Sequence, residues 1–175
     1  MKFLPTALPG VVIVEAEPAG DARGWFARHF CPEEFTAAGL GFTPYQISQS
    51  FNAATHTLRG LHFQRGEAAE AKLVRCLSGT VFDVAVDIRP DSPTRYAWTG
   101  ATLSSSNGQA LLIPRGFAHG FITLEADTSL LYMTDAPYTP SAEGGLRWDD
   151  PRLAIDWPAR PAVLSPRDQS FALIA

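Results

Sequence analysis

The sequence predicts an all-β sandwich or barrel, and three observations carry that reading. Apolar, β-branched runs of strand length recur about every ten residues. Turn residues separate them, in Ser78-Gly79, Pro90-Asp91-Ser92-Pro93, Asn107-Gly108 and Pro114-Arg115-Gly116. Helical pattern is confined to one short stretch and a terminal fragment, too little for an α/β sheet.

Taken in order, Val11-Val12-Ile13-Val14 follows Pro9-Gly10 and reads as the first strand. Asp21-Ala22-Arg23-Gly24-Trp25-Phe26 follows Pro18-Ala19-Gly20. It reads as a surface turn with a core aromatic, or as a cation beside a stacking ring. Residues 32–39 form the short helix, with Pro32 at its start, Glu33 and Glu34 in its first turn and Gly39 at its close. Residues 45–51 alternate loosely, with Gln46, Ser48 and Ser50 on one face. Residues 72–77 form a strand closed by Ser78-Gly79.

Residues 81–88 alternate strongly. Phe82, Val84, Val86 and Ile88 share one face; Asp83, Ala85 and Asp87 share the other, where the carboxylates are expected to meet solvent. Strands over 96–103, 110–113, 117–124 (with His119) and 128–134 (with Tyr132) complete the set. From Tyr138 the chain is rich in proline and tryptophan and is expected to wrap the barrel as ordered loops. Ser165-Pro166-Arg167-Asp168 begins a short terminal helix, and Asp168 offers a carboxylate able to fold back on the core.

Composition sets the limits. The 175 residues suit one domain, 1–175, with 46% hydrophobic and 18% charged residues marking a globular chain. The net charge of -4 argues against a nucleic-acid or anionic-membrane partner. No apolar run is long enough to span a bilayer, and Met1-Lys2-Phe3-Leu4-Pro5 lacks a signal-peptide core. Cys31 and Cys76 have no metal-site spacing and read as reduced thiols of a cytoplasmic protein.

The chemistry concentrates in Leu58-Arg59-Gly60-Leu61-His62-Phe63-Gln64. Simple alternation places Arg59, Leu61 and Phe63 on one face, with Leu58, Gly60, His62 and Gln64 on the other. Gly60 is expected to leave open space beside His62. Arg59 offers a site for an anion and His62 a proton acceptor. The ordinary alternative is a core strand whose histidine is satisfied by a backbone partner.

These motifs, in order, resemble one family. They are Asp21-x-Arg23-Gly24-x-Phe26, Leu58 to Gln64 as above, Lys72-Leu73-Val74-Arg75-Cys76 and Val81-Phe82-Asp83-Val84-Ala85-Val86-Asp87-Ile88-Arg89. Ile113-Pro114-x-Gly116-Phe117-Ala118-His119-Gly120-Phe121, Leu131-Tyr132 and Trp148-x-Asp150-Pro151 follow. Together they cover nearly the whole chain, which resembles the dTDP-4-dehydrorhamnose 3,5-epimerase family. The resemblance implies a cupin-type jelly roll and a homodimer with exchanged strands. It implies a 4-keto-6-deoxy sugar on a nucleoside diphosphate as substrate, and no cofactor or metal.

Protons on the carbons flanking a ketone are acidic enough to remove when the enolate is stabilised. The resemblance makes His62 the base, oriented by Asp168, with Lys72 on the enolate oxygen and Tyr132 as the acid on the opposite face. It implies that Arg23 and Arg59 contact the diphosphate, with Phe26 in the same binding motif as Arg23. His119, held by Asp83, Gln46, Tyr138, Glu143 and Arg167 are implied in the pocket. Two nucleotide-end positions depart from the family: Arg28 stands where glutamate is usual, and Ser48 where asparagine is usual. Met133-Thr134-Asp135-Ala136-Pro137 departs from a more polar segment and bears on which carbon is inverted. A carbon-3-only epimerase, or one using another nucleotide sugar, is the near alternative. A metal-dependent cupin needs an H-x-H pair plus a carboxylate, and His29, His56, His62 and His119 are not so spaced. A non-catalytic sugar-binding jelly roll is the remaining class.

Overall fold

Alternation along the strands sorts the chain into two antiparallel sheets. A computed structural model describes residues 1–175. In order, its elements are β1 (Lys2–Pro5), β2 (Val12–Glu15), β3 (Ala19–Asp21), β4 (Gly24–Phe26), α1 (Pro32–Ala37), β5 (Gln46–Asn52), β6 (Thr57–Gln64), β7 (Lys72–Ser78), β8 (Thr80–Asp87), β9 (Trp98–Ser104), β10 (Gln109–Ile113), β11 (Phe117–Thr123), β12 (Thr128–Thr134), β13 (Glu143–Gly145), β14 (Val163–Leu164) and α2 (Pro166–Ser170). One sheet runs β1-β2-β10-β7-β12-β5, the other β13-β6-β11-β8-β9, with β14 added in parallel to β6. The β3–β4 hairpin stands apart. This is a jelly roll. β1 was not foreseen, and the segment read as a turn around residue 23 is that hairpin.

Val74, Cys76, Leu111, Ile113 and Leu130 of the first sheet meet Val81, Ala85, Leu103, Phe117 and Phe121 of the second in the main core. α1 seals the outside of the first sheet. Pro32 presets its first turn, and Gly39 follows it at φ 73°, where a side chain would be strained. Phe35 is thereby fully buried, with ring centroids 5.1 Å from Phe3 and 5.0 Å from Phe30.

The expectation for β8 is overturned. Its apolar face, Phe82, Val84, Val86 and Ile88, turns outward and lies under the C-terminal tail, covered by Leu153, Ile155, Trp157 and Ile174. Asp83 and Asp87 share the inward face and are fully buried. Asp87 accepts hydrogen bonds from Arg89, Ser92 and Thr94. Burial alone would raise its carboxyl; these bonds outweigh burial and hold it far below the usual carboxylate range. A depressed folded value contributes stability above the unfolded value of about 3.9, lost as pH falls toward the folded one. Asp87→Asn is therefore expected to lower the urea midpoint at pH 7, with the gap to wild type narrowing progressively below pH ~4.

β6 also departs from simple alternation. His62 pairs with His119 of β11 and Arg59 with Phe121, so three steps on one strand oppose two on the other. The extra residue is a β-bulge. It puts Arg59 and His62 on the same inward face, not on opposite faces. Gly60 makes the bulge possible, at φ 125°. A Cβ there would lie 2.6 Å from the Gly120 Cα and 2.8 Å from the His119 carbonyl oxygen. The space expected beside Gly60 is thus filled by the β11 backbone and is not open to a ligand. Backbone atoms cannot rotate away, so Gly60→Ala is expected to cost about 3 kcal/mol or more. Thermal unfolding should show a midpoint lower by roughly 6–12 °C.

The tail is tied down at a buried carboxylate. Asp150 accepts the Arg152 N–H at 2.8 Å and the Ile174 N–H at 2.6 Å. Ser165 caps α2 by accepting the Asp168 N–H at 3.1 Å. The terminal helix forms where the sequence places it, and Asp168 folds back on the core as expected.

Candidate active site

α2 delivers Asp168 to β6. One carboxylate oxygen lies 2.7 Å from His62 Nε2, and the other accepts the Gly60 N–H at 3.2 Å. Asp168 is only 3% exposed. Burial would raise its carboxyl, but the His62 hydrogen bond and charge, with help from Gly60 and Ser165, hold it below the usual range. Phe171, one turn beyond Asp168, meets the His62 ring edge-on at 6.1 Å. It occupies space that exists because residue 145 is glycine; a Cβ there would collide with the Phe171 ring.

A second pair lies on the neighbouring strand. His119 faces His62 across the β6–β11 ladder, and its Nε2 is 2.7 Å from Asp83 Oδ1. The second Asp83 oxygen is buried without a hydrogen-bond partner. The His119 ring centre lies 6.2 Å from that of Tyr132, which comes from the opposite sheet. The Tyr132 hydroxyl is 2.8 Å from Ser50 Oγ. Ser50 accepts from Asn52 Nδ2 at 3.5 Å, and Asn52 Oδ1 accepts from Arg59 Nε at 2.7 Å. Polar contacts therefore run from the phenol on one sheet to the guanidinium on the other. Burial pushes the Tyr132 phenol well above its ordinary value and the Asp83 charge adds to this, against partial opposition from Ser50 and Arg59. The phenol therefore stays protonated across the neutral range.

The remaining polar groups of the site are linked to one another. Lys72 Nζ lies 3.0 Å from Glu70 Oε1, both side chains largely buried. Glu143 accepts the Tyr138 hydroxyl at 2.6 Å and pairs with Arg167 Nη1 at 2.8 Å. Burial would raise the Glu143 carboxyl; Tyr138 and Arg167 override it and hold it low. A cavity of about 330 Å³ opens between β6 and residues 163–168, lined among others by Arg59, His62, Arg167 and Asp168. No three His, Cys, Asp or Glu side chains converge as metal ligands would; each inward histidine meets a carboxylate instead.

The fold thus brings together His62, Asp168, Arg59, His119, Tyr132, Lys72, Tyr138, Glu143 and Arg167. Gln46 and Ser48 also face inward, on the edge strand beside Tyr132, with 3.2 Å between their side chains. It does not bring in Arg23, Phe26 or Arg28. Arg23 is spent on Asp21 of its own hairpin, Phe26 is 76% exposed, and Arg28 pairs with Glu34 at 3.1 Å. Sequence reasoning missed the contacts of Asn52, Glu70 and Phe171. Asn52 continues the period-two face of Gln46, Ser48 and Ser50 and was findable there; the other two have no local signal.

Comparison with known proteins agrees with this geometry. A family model described as dTDP-4-dehydrorhamnose 3,5-epimerase matches residues 5–175. The dTDP-4-dehydrorhamnose 3,5-epimerase of Salmonella typhimurium is 44% identical over 176 residues, covering 99% of this chain and 96% of that protein. The crystal structure of the Bacillus anthracis enzyme of that name, with TDP and PPi bound, superposes with a TM-score of 0.95 at 37% identity, covering 99% of both chains. That of dTDP-6-deoxy-D-glucose-3,5-epimerase from Legionella pneumophila, in complex with dTDP-4-keto-L-rhamnose, gives a TM-score of 0.93 at 38% identity over 98% of this chain and 92% of that one. The similarity runs through both sheets and the tail that carries Asp168, so the chain belongs to the dTDP-4-dehydrorhamnose 3,5-epimerase family.

Proposed function

We propose that this protein inverts carbons 3 and 5 of a dTDP-linked 4-keto-6-deoxyhexose by removing and returning the protons beside the ketone. The observation that carries this is His62 held 2.7 Å from a buried carboxylate, on the same face as Arg59 and beside an open cavity. His62 takes the proton, and Asp168 fixes the ring and stabilises its charged form. Lys72 stabilises the negative charge that develops on the ketone oxygen. Tyr132 delivers its proton to the opposite face of the ring, which inverts the centre. One turnover at a carbon leaves His62 protonated and Tyr132 ionised, and exchange with water restores both. Arg59 binds the diphosphate, while His119, Gln46, Ser48, Tyr138, Glu143 and Arg167 shape the sugar and nucleotide ends.

The working unit is a homodimer. Its support is an unpartnered surface: Trp25 and Phe26 on the free hairpin, and Tyr45, Ile47 and Phe51 on or beside the edge strand β5, are all exposed. A hairpin reaching into the other subunit would carry Arg23, Phe26 and Arg28, none of which lines the cavity of its own subunit, to the neighbouring one. Two unpaired cysteines support a reducing, cytoplasmic setting, and the net charge of -4 supports the absence of nucleic-acid and membrane partners.

The test is NMR of dTDP-4-keto-6-deoxyglucose incubated with the protein in heavy water. Deuterium is expected at carbons 3 and 5 of an inverted product. Uptake at carbon 3 alone would mark a 3-epimerase, and no uptake at either carbon would sink the reading.

A further inference from the structure

The structure assigns Gln64 as the positioning residue that sets the distance between the base-bearing strand, the Lys72 ammonium and the Tyr138 loop. Its side chain is 6% exposed, and its amide is fully engaged. Nε2 donates toward Glu70 Oε2 at 2.9 Å, the Ala68 carbonyl at 3.1 Å and the Pro137 carbonyl at 3.2 Å; Oε1 accepts the Thr139 N–H at 2.6 Å. The reversed amide would set its oxygen against three acceptors and its NH₂ against a donor, so the orientation is fixed by its neighbours.

The contacts to Glu70, Pro137 and Thr139 lead to groups with a role in the proposed reaction, on which this inference rests. Gln64 follows His62 by two residues on β6, on the same face. Glu70 shares its carboxylate between the Gln64 amide and the Lys72 ammonium, 3.0 Å away. Pro137 and Thr139 flank Tyr138, whose hydroxyl donates to Glu143. Glu143 in turn pairs with Gln64 across the β6–β13 ladder. One amide thus joins base strand, cation and pocket tyrosine. A residue touching three parts of a site from outside it fixes their spacing, and misplacement by about 1 Å costs on the order of 10²-fold in rate.

The experiment is steady-state kinetics of Gln64→Glu against wild type from pH 5.5 to 8. At pH 8 the new carboxylate faces Glu70 and two carbonyls, all acceptors, so kcat/KM should fall by about 10²-fold. Two carboxyls in hydrogen-bond reach share a proton well above the usual carboxylate range. The protonated form donates much as the amide does, so the gap to wild type should close by up to about tenfold per pH unit as pH falls. Gln64→Met should raise KM and show no such recovery. Glu70→Gln, which leaves the loop anchored, should lower kcat with KM within about twofold of wild type.

Folded Gln64→Glu with wild-type kcat/KM at pH 8, or a gap independent of pH, overturns the assignment. If that variant does not fold, a Glu70→Gln effect confined to KM overturns it instead. Wild-type protein that exchanges no deuterium overturns the reaction itself, a distinct failure read from a separate arm.

Discussion

His62→Ala is expected to lower kcat by about 10³- to 10⁴-fold and to stop deuterium uptake at both carbons. That loss corresponds to about 4–5.5 kcal/mol of transition-state stabilisation. The size follows from what remains. Asp168 is 3% exposed and already committed to the Gly60 N–H, so it is oriented toward the ring position and not toward a substrate carbon. His119 is engaged by Asp83 and is 5% exposed, which leaves it unable to take over. The fold should survive, because the His62 side chain is 31% exposed and the strand around it is held by Leu58 and Leu61, both buried. Asp168→Asn separates orientation from basicity. It preserves shape but offers an amide in place of the carboxylate that stabilises the imidazolium, and should cost a comparable factor. Unchanged uptake in folded His62→Ala would remove this residue as the base and require another group at the cavity.

How much of this was legible in the sequence depends on where each determinant lies. β7 to β12 could be read because each strand carries its own period and its own turn residues. α1 could be read because Pro32, the acids after it and Gly39 are all local. The facing of β8 could not be read. Phe82, Val84 and Val86 form the apolar stripe of a core strand, yet they lie under the tail, because residues 153–174 supply a second cover far along the chain. The bulge in β6 was equally hidden, since it depends on Gly120 lying against Gly60 from another strand. That bulge is what brings Arg59 to the side of His62. The partnership of His62 with Asp168 spans 106 residues and was reached through family resemblance; the residues alone offered a histidine in a strand and an acid in a tail. Arg23 and Phe26 illustrate a further limit: their motif is plain in the sequence, yet their hairpin joins neither sheet of the barrel, and nothing local to it signals that separation.

Tyr132→Phe is expected to separate exchange from inversion. The substitution removes one oxygen and leaves the ring packed against the main core, so stability should change by only about 1 kcal/mol through the lost Ser50 contact. His62 can still remove the proton and return deuterium to the face it came from. Deuterium should therefore enter carbon 3 or 5 of recovered substrate with configuration retained, while inverted product forms about 10²- to 10⁴-fold more slowly. The pH dependence follows from the direction of the phenol shift. With burial and Asp83 holding Tyr132 protonated beyond the ordinary tyrosine range, the wild-type rate should not fall at alkaline pH through loss of this proton below pH ~10. Any fall there must come from another group. Ser50→Ala offers a graded control, since it removes the partner that lowers the phenol while leaving the donor in place; its effect on inversion should be far smaller than that of Tyr132→Phe. Wild-type inversion by Tyr132→Phe would show that the second proton comes from elsewhere, and retention-labelled substrate without product would show that the two faces of the ring are served by two different groups.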